Sequence, residues 1–142
     1  MNGEEISEFE RLHAQLQSLY AEIGTLSRKK PDDAVNEFEL KLINQVLERA
    51  NTILGEENQP FDDFLRFDPD NIPTNSDAVL ILSQYLNCLE ILRADNVERR
   101  IGMWYWLVDG KISNIRTAPP RKLKYSAGAP NTGWRVMEAV VC

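Results

Sequence analysis

The side chains best suited to chemistry are basic and aromatic, and they are concentrated in the last third of the chain. Residues 99–142 hold eight Lys and Arg against two Asp and Glu, a net charge of +6, whereas residues 1–98 hold eight against twenty, a net charge of −12. Basic side chains bind phosphates, and an exposed tryptophan can stack on an unpaired base. The candidate contacts for a nucleic acid or a protein partner are Arg99, Arg100, Trp104, Trp106, Lys111, Arg116, Arg121, Lys122 and Lys124.

Two hypotheses explain this charge pattern. Opposite charges in two parts of a chain attract each other within or between molecules, and such complementarity speeds and selects association. The same basic residues could instead bind single-stranded nucleic acid, although the acidic remainder of the chain repels polyanions. Tryptophans in a hairpin beside a helical bundle are also more often core than surface. The pattern therefore favours a protein partner, which includes a second copy of this chain, and leaves nucleic-acid binding as the alternative.

The sequence contains no catalytic or cofactor motif. The seven glycines are scattered, so there is no glycine-rich phosphate loop. His13 is the single histidine, which excludes a multi-histidine metal site within one chain, and no neighbour in sequence orients it as a base. Asp68, Asp70 and Asn71 suggest a calcium loop, but the later glycine and the final glutamate of an EF-hand are missing. We therefore expect a protein that is not an enzyme and that needs no cofactor or metal.

A β-hairpin is predicted to position the basic and aromatic residues. Residues 103–108 are aromatic and β-branched, and residues 111–117 form a second strand-like run. Between them lies Asp109-Gly110, which is a strong signal for a two-residue hairpin turn. Residues 134–141 alternate well enough to predict a third strand.

The register of this hairpin predicts two different faces. A two-residue turn pairs Val108 with Lys111 and Trp104 with Ile115, and it places Trp106 on the same face as Trp104. Only one face is expected to cover the helices. The residues predicted on the other face are Tyr105, Leu107 and Ile112.

Three helices are predicted before the hairpin. The first covers residues 4–27, the second begins at Pro31 and stops at Gly55, and the third begins at Thr74 and frays near residues 93–96. The third is apolar on most sides, which indicates a central helix. Its polar stripe consists of Ser83, Asn87 and Glu90. The first carries a heptad seam that can pack inside the bundle or on a second copy. The seam residues are Phe9, Leu12, Leu16, Leu19, Ile23 and Leu26.

These elements predict one α+β domain, mainly α, over residues 1–142. An acidic three-helix body (residues 1–98, an antiparallel hairpin plus a central apolar helix) precedes a basic β-hairpin or small antiparallel meander (residues 99–142). No apolar run is long enough to span a membrane, and there is no secretory signal, so we expect a cytoplasmic protein. The favoured function is a non-catalytic protein–protein interaction module, such as a regulator, adaptor, inhibitor or assembly subunit, that forms a homodimer.

Overall fold

The structure is a computed structural model that describes residues 1–121. Three helices are followed by a three-stranded antiparallel sheet, which confirms the α+β, mainly α, class. In chain order the elements are α1 (Gly3–Lys29), α2 (Glu37–Asn58), α3 (Asn75–Asp95), β1 (Val97–Arg100), β2 (Met103–Val108) and β3 (Lys111–Thr117). None of the described helices is long and apolar enough to cross a membrane. The strand predicted over residues 134–141 lies outside the described residues.

The sheet contains one strand, β1, in addition to the two strands of the predicted hairpin, and β1 precedes them in the chain. Its chain segment follows α3 almost directly, because Asn96 ends the helix and its carbonyl accepts a hydrogen bond from the Leu107 N–H (2.7 Å). β1 and β2 are then joined by Ile101-Gly102, where both residues have positive φ (51° and 76°). Two successive residues with positive φ form a tight hairpin turn. This conformation costs glycine little free energy, but it costs isoleucine more because its side chain is branched at Cβ. The sequence does not predict β1, because an isoleucine in such a turn is unusual.

The predicted start of α2 at Pro31 is wrong. The helix begins at Glu37, and the side chain of Asn36 caps it by accepting the main-chain N–H three residues further on (2.8 Å). The segment before it is tied to the start of α3 instead, since the Asn75 N–H donates to the Asp33 carbonyl (2.8 Å). These contacts hold the backbone after Pro31 out of a helical turn. The predicted stop at Gly55 is a kink: Gly55 leaves the helical conformation, with a φ of 73°, but a short helical stretch follows it to Asn58.

We expect the Asn36→Ala variant to lose about 1 kcal/mol of unfolding free energy, the usual cost of removing a helix N-cap. Asp32→Ala is the matched control, and its effect should stay within about 0.5 kcal/mol because Asp32 is exposed and outside the helix. Urea unfolding followed by far-UV circular dichroism measures both. A larger loss for Asp32→Ala than for Asn36→Ala would instead indicate a helix that begins at Pro31.

The heptad seam of α1 is internal. Phe9, Leu12, Leu16 and Ile23 are fully buried, and α1 contacts both α2 and α3. Arg49, in the second half of α2, donates to Glu8, near the start of α1 (3.1 Å), so the two helices run antiparallel as predicted. Most of the seam is thus covered within one chain, and it leaves no continuous apolar stripe on α1 for a second copy.

The hairpin register agrees with the prediction only near the turn. Val108 pairs with Lys111 as predicted, but Trp104 pairs with Thr117 instead of Ile115. The difference comes from a bulge opposite Trp106, where the Ser113 hydroxyl donates to the Trp106 carbonyl (2.7 Å). Because the serine hydroxyl replaces a main-chain donor for the Trp106 carbonyl, the neighbouring residues of β3 can drop out of the regular strand pairing.

Candidate interaction surface

One side of the sheet faces away from the helices and presents basic, aromatic and sulfur-containing side chains. Cross-strand pairs place Arg100 beside Met103, and Tyr105 between Glu98 and Arg116. Residues paired in this way point to the same side of a sheet. We call these five residues the outer face.

Contacts between its side chains order the outer face. The Arg100 guanidinium lies 4.8 Å from the centre of the Tyr105 ring, a cation–π distance. Arg116 Nη2 lies 3.0 Å from the sulfur of Met103, whose exposed fraction is 43%. Ile101, in the adjoining turn, is 95% exposed. The arrangement holds two positive charges and one negative charge, Glu98, on an accessible, partly apolar platform.

The tryptophans lie on the opposite side of the sheet. Trp106 is fully buried, and its ring meets the Phe9 ring edge-on at a centroid distance of 5.0 Å. Trp104 is half-buried and packs against the core. The prediction that one hairpin face covers the helices is confirmed, and Trp106 is a core residue rather than a platform for bases or partners.

The remaining basic candidates do not join the outer face. Arg99 pairs with Trp104 and so lies on the tryptophan side of the sheet. Lys111 lies beside the hairpin turn, and Arg121 is hydrogen-bonded to α3. Lys122 and Lys124 lie outside the described residues. Of the nine candidate contacts, the structure therefore brings Arg100 and Arg116 together on the outer face, and it adds Tyr105, which the sequence analysis had placed on that side without a role.

A buried charge cluster lies beneath the sheet. His13 Nε2 is 2.5 Å from Glu90 Oε2, and the same carboxylate is 3.4 Å from Arg93 Nη1. Arg93 Nη2 also donates to Glu10 Oε1 (3.1 Å). His13, Glu90 and Arg93 are each less than 10% exposed. A buried carboxylate keeps its charge only with such partners.

Glu10 connects this cluster to the sheet. Its Oε2 accepts hydrogen bonds from Trp106 Nε1 (3.2 Å) and from the Thr117 hydroxyl (2.9 Å). Phe9 adds apolar contact, since the Arg93 guanidinium lies 5.4 Å from the centre of its ring. The cluster therefore fastens β2 and β3 to α1 and sets the position from which the outer face is presented.

Opposing effects set the pKa of Glu90. Burial raises it, but the hydrogen bond from His13, the Arg121 main-chain N–H and the charge of Arg93 together lower it, from 4.5 to about 2. Glu90 is thus a carboxylate at neutral pH. Its oxygens are occupied by these donors, which makes the cluster a positioning device for the sheet.

The sequence does not reveal this cluster because its members are far apart in the chain. Local patterns place His13 beside the α1 seam and Glu90 in a polar stripe of α3, and these two residues are separated by 77 positions. One signal was available: Glu90 is the only charged residue between Asp77 and Arg93 in an otherwise apolar helix. A charge in that position needs a buried partner of opposite sign or a hydrogen-bond donor.

The aspartates suspected of binding calcium form a turn. Asp68 Oδ1 accepts the Asp70 N–H (2.9 Å), and the Asp68 carbonyl accepts the Asn71 N–H (3.0 Å). This is a local side-chain-capped turn. Within residues 1–121, no group of three or more His, Cys, Asp or Glu is arranged to hold a metal ion.

Comparison of the chain with models of protein families, with curated proteins and with solved structures gives no match in any of the three. The outer face and the cluster that supports it are therefore the features from which a function can be inferred.

Proposed function

We propose that this protein is a non-catalytic protein–protein interaction module that associates with a second copy of itself through the outer face. The observation that carries the proposal is the composition of that face, where Arg100 and Arg116 flank Tyr105 and an accessible Met103. Tyr, Met and Arg are enriched at the centres of protein interfaces relative to other surfaces.

Charge selects the surface that the outer face would meet. Residues 99–121 carry five Lys and Arg against one Asp, a net charge of +4, while residues 1–98 carry −12. The outer face carries Arg100 and Arg116 against Glu98, a net charge of +1, so two outer faces stacked directly on each other would repel weakly. We infer a reciprocal two-fold dimer in which the sheet of each copy lies on the acidic helical body of the other.

Sedimentation velocity of the full chain tests the proposal. With concentrations from about 1 to 100 μM, we expect a monomer–dimer equilibrium that weakens when the salt rises from about 50 to 200 mM. The Arg100→Glu/Arg116→Glu variant should bind at least about tenfold more weakly, because both charges that face the acidic body are reversed.

The control is Lys29→Glu/Lys41→Glu, which changes the net charge by the same amount at exposed positions of the helical body. It should associate at least as well as the wild type. A wild type that stays monomeric over the whole range would contradict self-association. An equal loss in both double variants would show that net charge, and not the outer face, controls association.

Nucleic-acid binding through residues 99–121 is the competing function. Arg99, Arg100 and Arg116 are exposed and could contact phosphates, but the burial of Trp106 removes one of the two proposed stacking platforms. Fluorescence anisotropy of labelled single- and double-stranded oligonucleotides, at about 50 and 200 mM salt, separates the two functions. Binding that falls steeply with salt would favour the nucleic-acid function, because each phosphate contact releases counterions.

The cytoplasmic location stays a prediction.

A further inference from the structure

The segment that follows β3 is held against the helices by specific hydrogen bonds. We call residues 118–121, Ala-Pro-Pro-Arg, the strap. Thr117, just before it, donates to Glu10 (2.9 Å). At its other end the Arg121 main-chain N–H donates to Glu90 Oε1 (3.0 Å), and the Arg121 guanidinium donates to Asn87 Oδ1 (2.6 Å).

The chemistry of the strap suits recognition. Two prolines in succession fix φ and favour an extended, polyproline-like backbone that loses little entropy on binding. The residue after them then presents a main-chain N–H and a guanidinium to α3. Asn87 and Glu90, one turn apart on that helix, accept one donor each.

The Glu90 part of the accepting side has partners other than the strap. Glu90 is 4% exposed, and His13 and Arg93 already hold its carboxylate in place. Arg121, in contrast, is exposed, and its guanidinium lies on the surface of α3. A preorganised acceptor that faces an exposed donor suits a binding site, because little ordering is needed when a donor binds.

We propose that Asn87 and Glu90 form a recognition site for an extended Pro-Pro-Arg segment. The strap occupies this site in cis, and a segment of the same chemistry from a partner protein takes its place when it binds. The site lies on α3, away from the outer face, so it stands whether or not the outer face mediates self-association. Cis occupancy makes the module self-blocking: a partner segment must compete with the strap.

The test uses the full chain, labelled with ¹⁵N, and the peptide acetyl-Thr-Ala-Pro-Pro-Arg-amide, which copies residues 117–121. The Arg121→Pro variant removes both the N–H and the guanidinium from the strap and so opens the site. Because a tethered segment has an effective concentration in the millimolar range, the wild type should show little binding up to about 5 mM peptide. Arg121→Pro should show saturable shifts of the α3 main-chain amides at residues 87–90, with an affinity at least about tenfold higher than that of the wild type.

Two controls define the site. In the Arg121→Pro background, Asn87→Ala should abolish the shifts, whereas Gln84→Ala, one turn earlier on the same helix, should leave them unchanged. A peptide with glutamine in place of its arginine should bind at least about fivefold more weakly, since a charged donor is replaced by a neutral one. The same spectra verify that each variant is folded.

Three results would overturn the proposal. The first is an Arg121→Pro variant that binds no peptide, which would make the strap contact a packing feature without recognition. The second is equal binding by the wild type and Arg121→Pro, which would exclude competition in cis. The third is equal binding of the arginine and glutamine peptides, which would show that Asn87 does not read the guanidinium.

Discussion

Replacing Glu90 by glutamine should lower the free energy of unfolding by about 3 kcal/mol at neutral pH, because Arg93 loses its buried charged partner and keeps only Glu10, which is partly exposed. Glu90 is the centre of the buried cluster, and its carboxylate contacts both His13 and Arg93. The Arg121 main-chain N–H also loses its charged acceptor. Glutamine has nearly the same shape, so the loss reports charge and hydrogen bonding and not a cavity.

The pH dependence of this loss follows from the depressed pKa of Glu90. A carboxylate whose pKa is lower in the folded state than in the unfolded chain stabilises the fold above its unfolded pKa, and this stabilisation disappears as the pH falls through the folded value. For Glu90 these values are 4.5 and about 2. The difference between the wild type and Glu90→Gln should thus be constant from neutral pH to about pH 5, shrink below pH 4.5, and be small near pH 2.

Urea unfolding at several pH values, followed by tryptophan fluorescence, measures this difference. Glu98→Gln is the matched control, since Glu98 is an exposed glutamate on the nearby strand β1. Its effect should stay within about 0.5 kcal/mol at every pH. If Glu90→Gln and Glu98→Gln had equal effects at neutral pH, the carboxylate of Glu90 would not be the charge that holds the cluster together.

The parts of the fold that the sequence predicted are those controlled by local chemistry. Asp109-Gly110 adopts the positive φ values (53° and 78°) that its composition favours, and the hairpin forms there. Thr74 caps α3 by accepting the Asp77 N–H (3.2 Å), as its position before an apolar run indicates. Each of these signals needs only residues that are near one another in the chain.

The parts that the sequence did not predict depend on contacts between distant segments. Pro31 followed by two aspartates has the composition of a helix start, but main-chain bonds to the segment before α3 hold that stretch out of a helix. Asn36, with its own capping side chain, starts the helix instead. Local preference is a weak effect of about 1 kcal/mol or less, and several tertiary hydrogen bonds outweigh it.

The same distinction applies to the candidate surface. Alternation along residues 103–108 separates tryptophans from Tyr105, but it cannot say which side meets the helices. That choice depends on Trp106 finding a hydrogen-bond acceptor in Glu10 and a ring contact in Phe9, both on α1. Once Trp106 is turned inward, Arg100 and Tyr105 must face outward, and the outer face follows.

Trp106→Ala should therefore be the most damaging single substitution in the sheet, with a loss of about 3–5 kcal/mol, the usual cost of truncating a buried tryptophan. Trp106 is 0% exposed, so the variant leaves a cavity against Phe9 and removes one hydrogen bond from Glu10. Trp106→Phe keeps an aromatic ring there and loses the indole N–H, and it should cost less than Trp106→Ala. Urea unfolding measures both variants.

Trp104→Ala is the comparison that separates core from surface. Trp104 shares the inner side of the sheet but is only half-buried, so its truncation should cost about half as much as that of Trp106. A fold that tolerates Trp106→Ala with a loss below about 1 kcal/mol would mean that the tryptophan side of the sheet does not pack on α1. The orientation of the outer face would then be reversed, because the two sides of a strand exchange roles together. The stability of Trp106→Ala thus tests the orientation on which the proposed interaction surface depends.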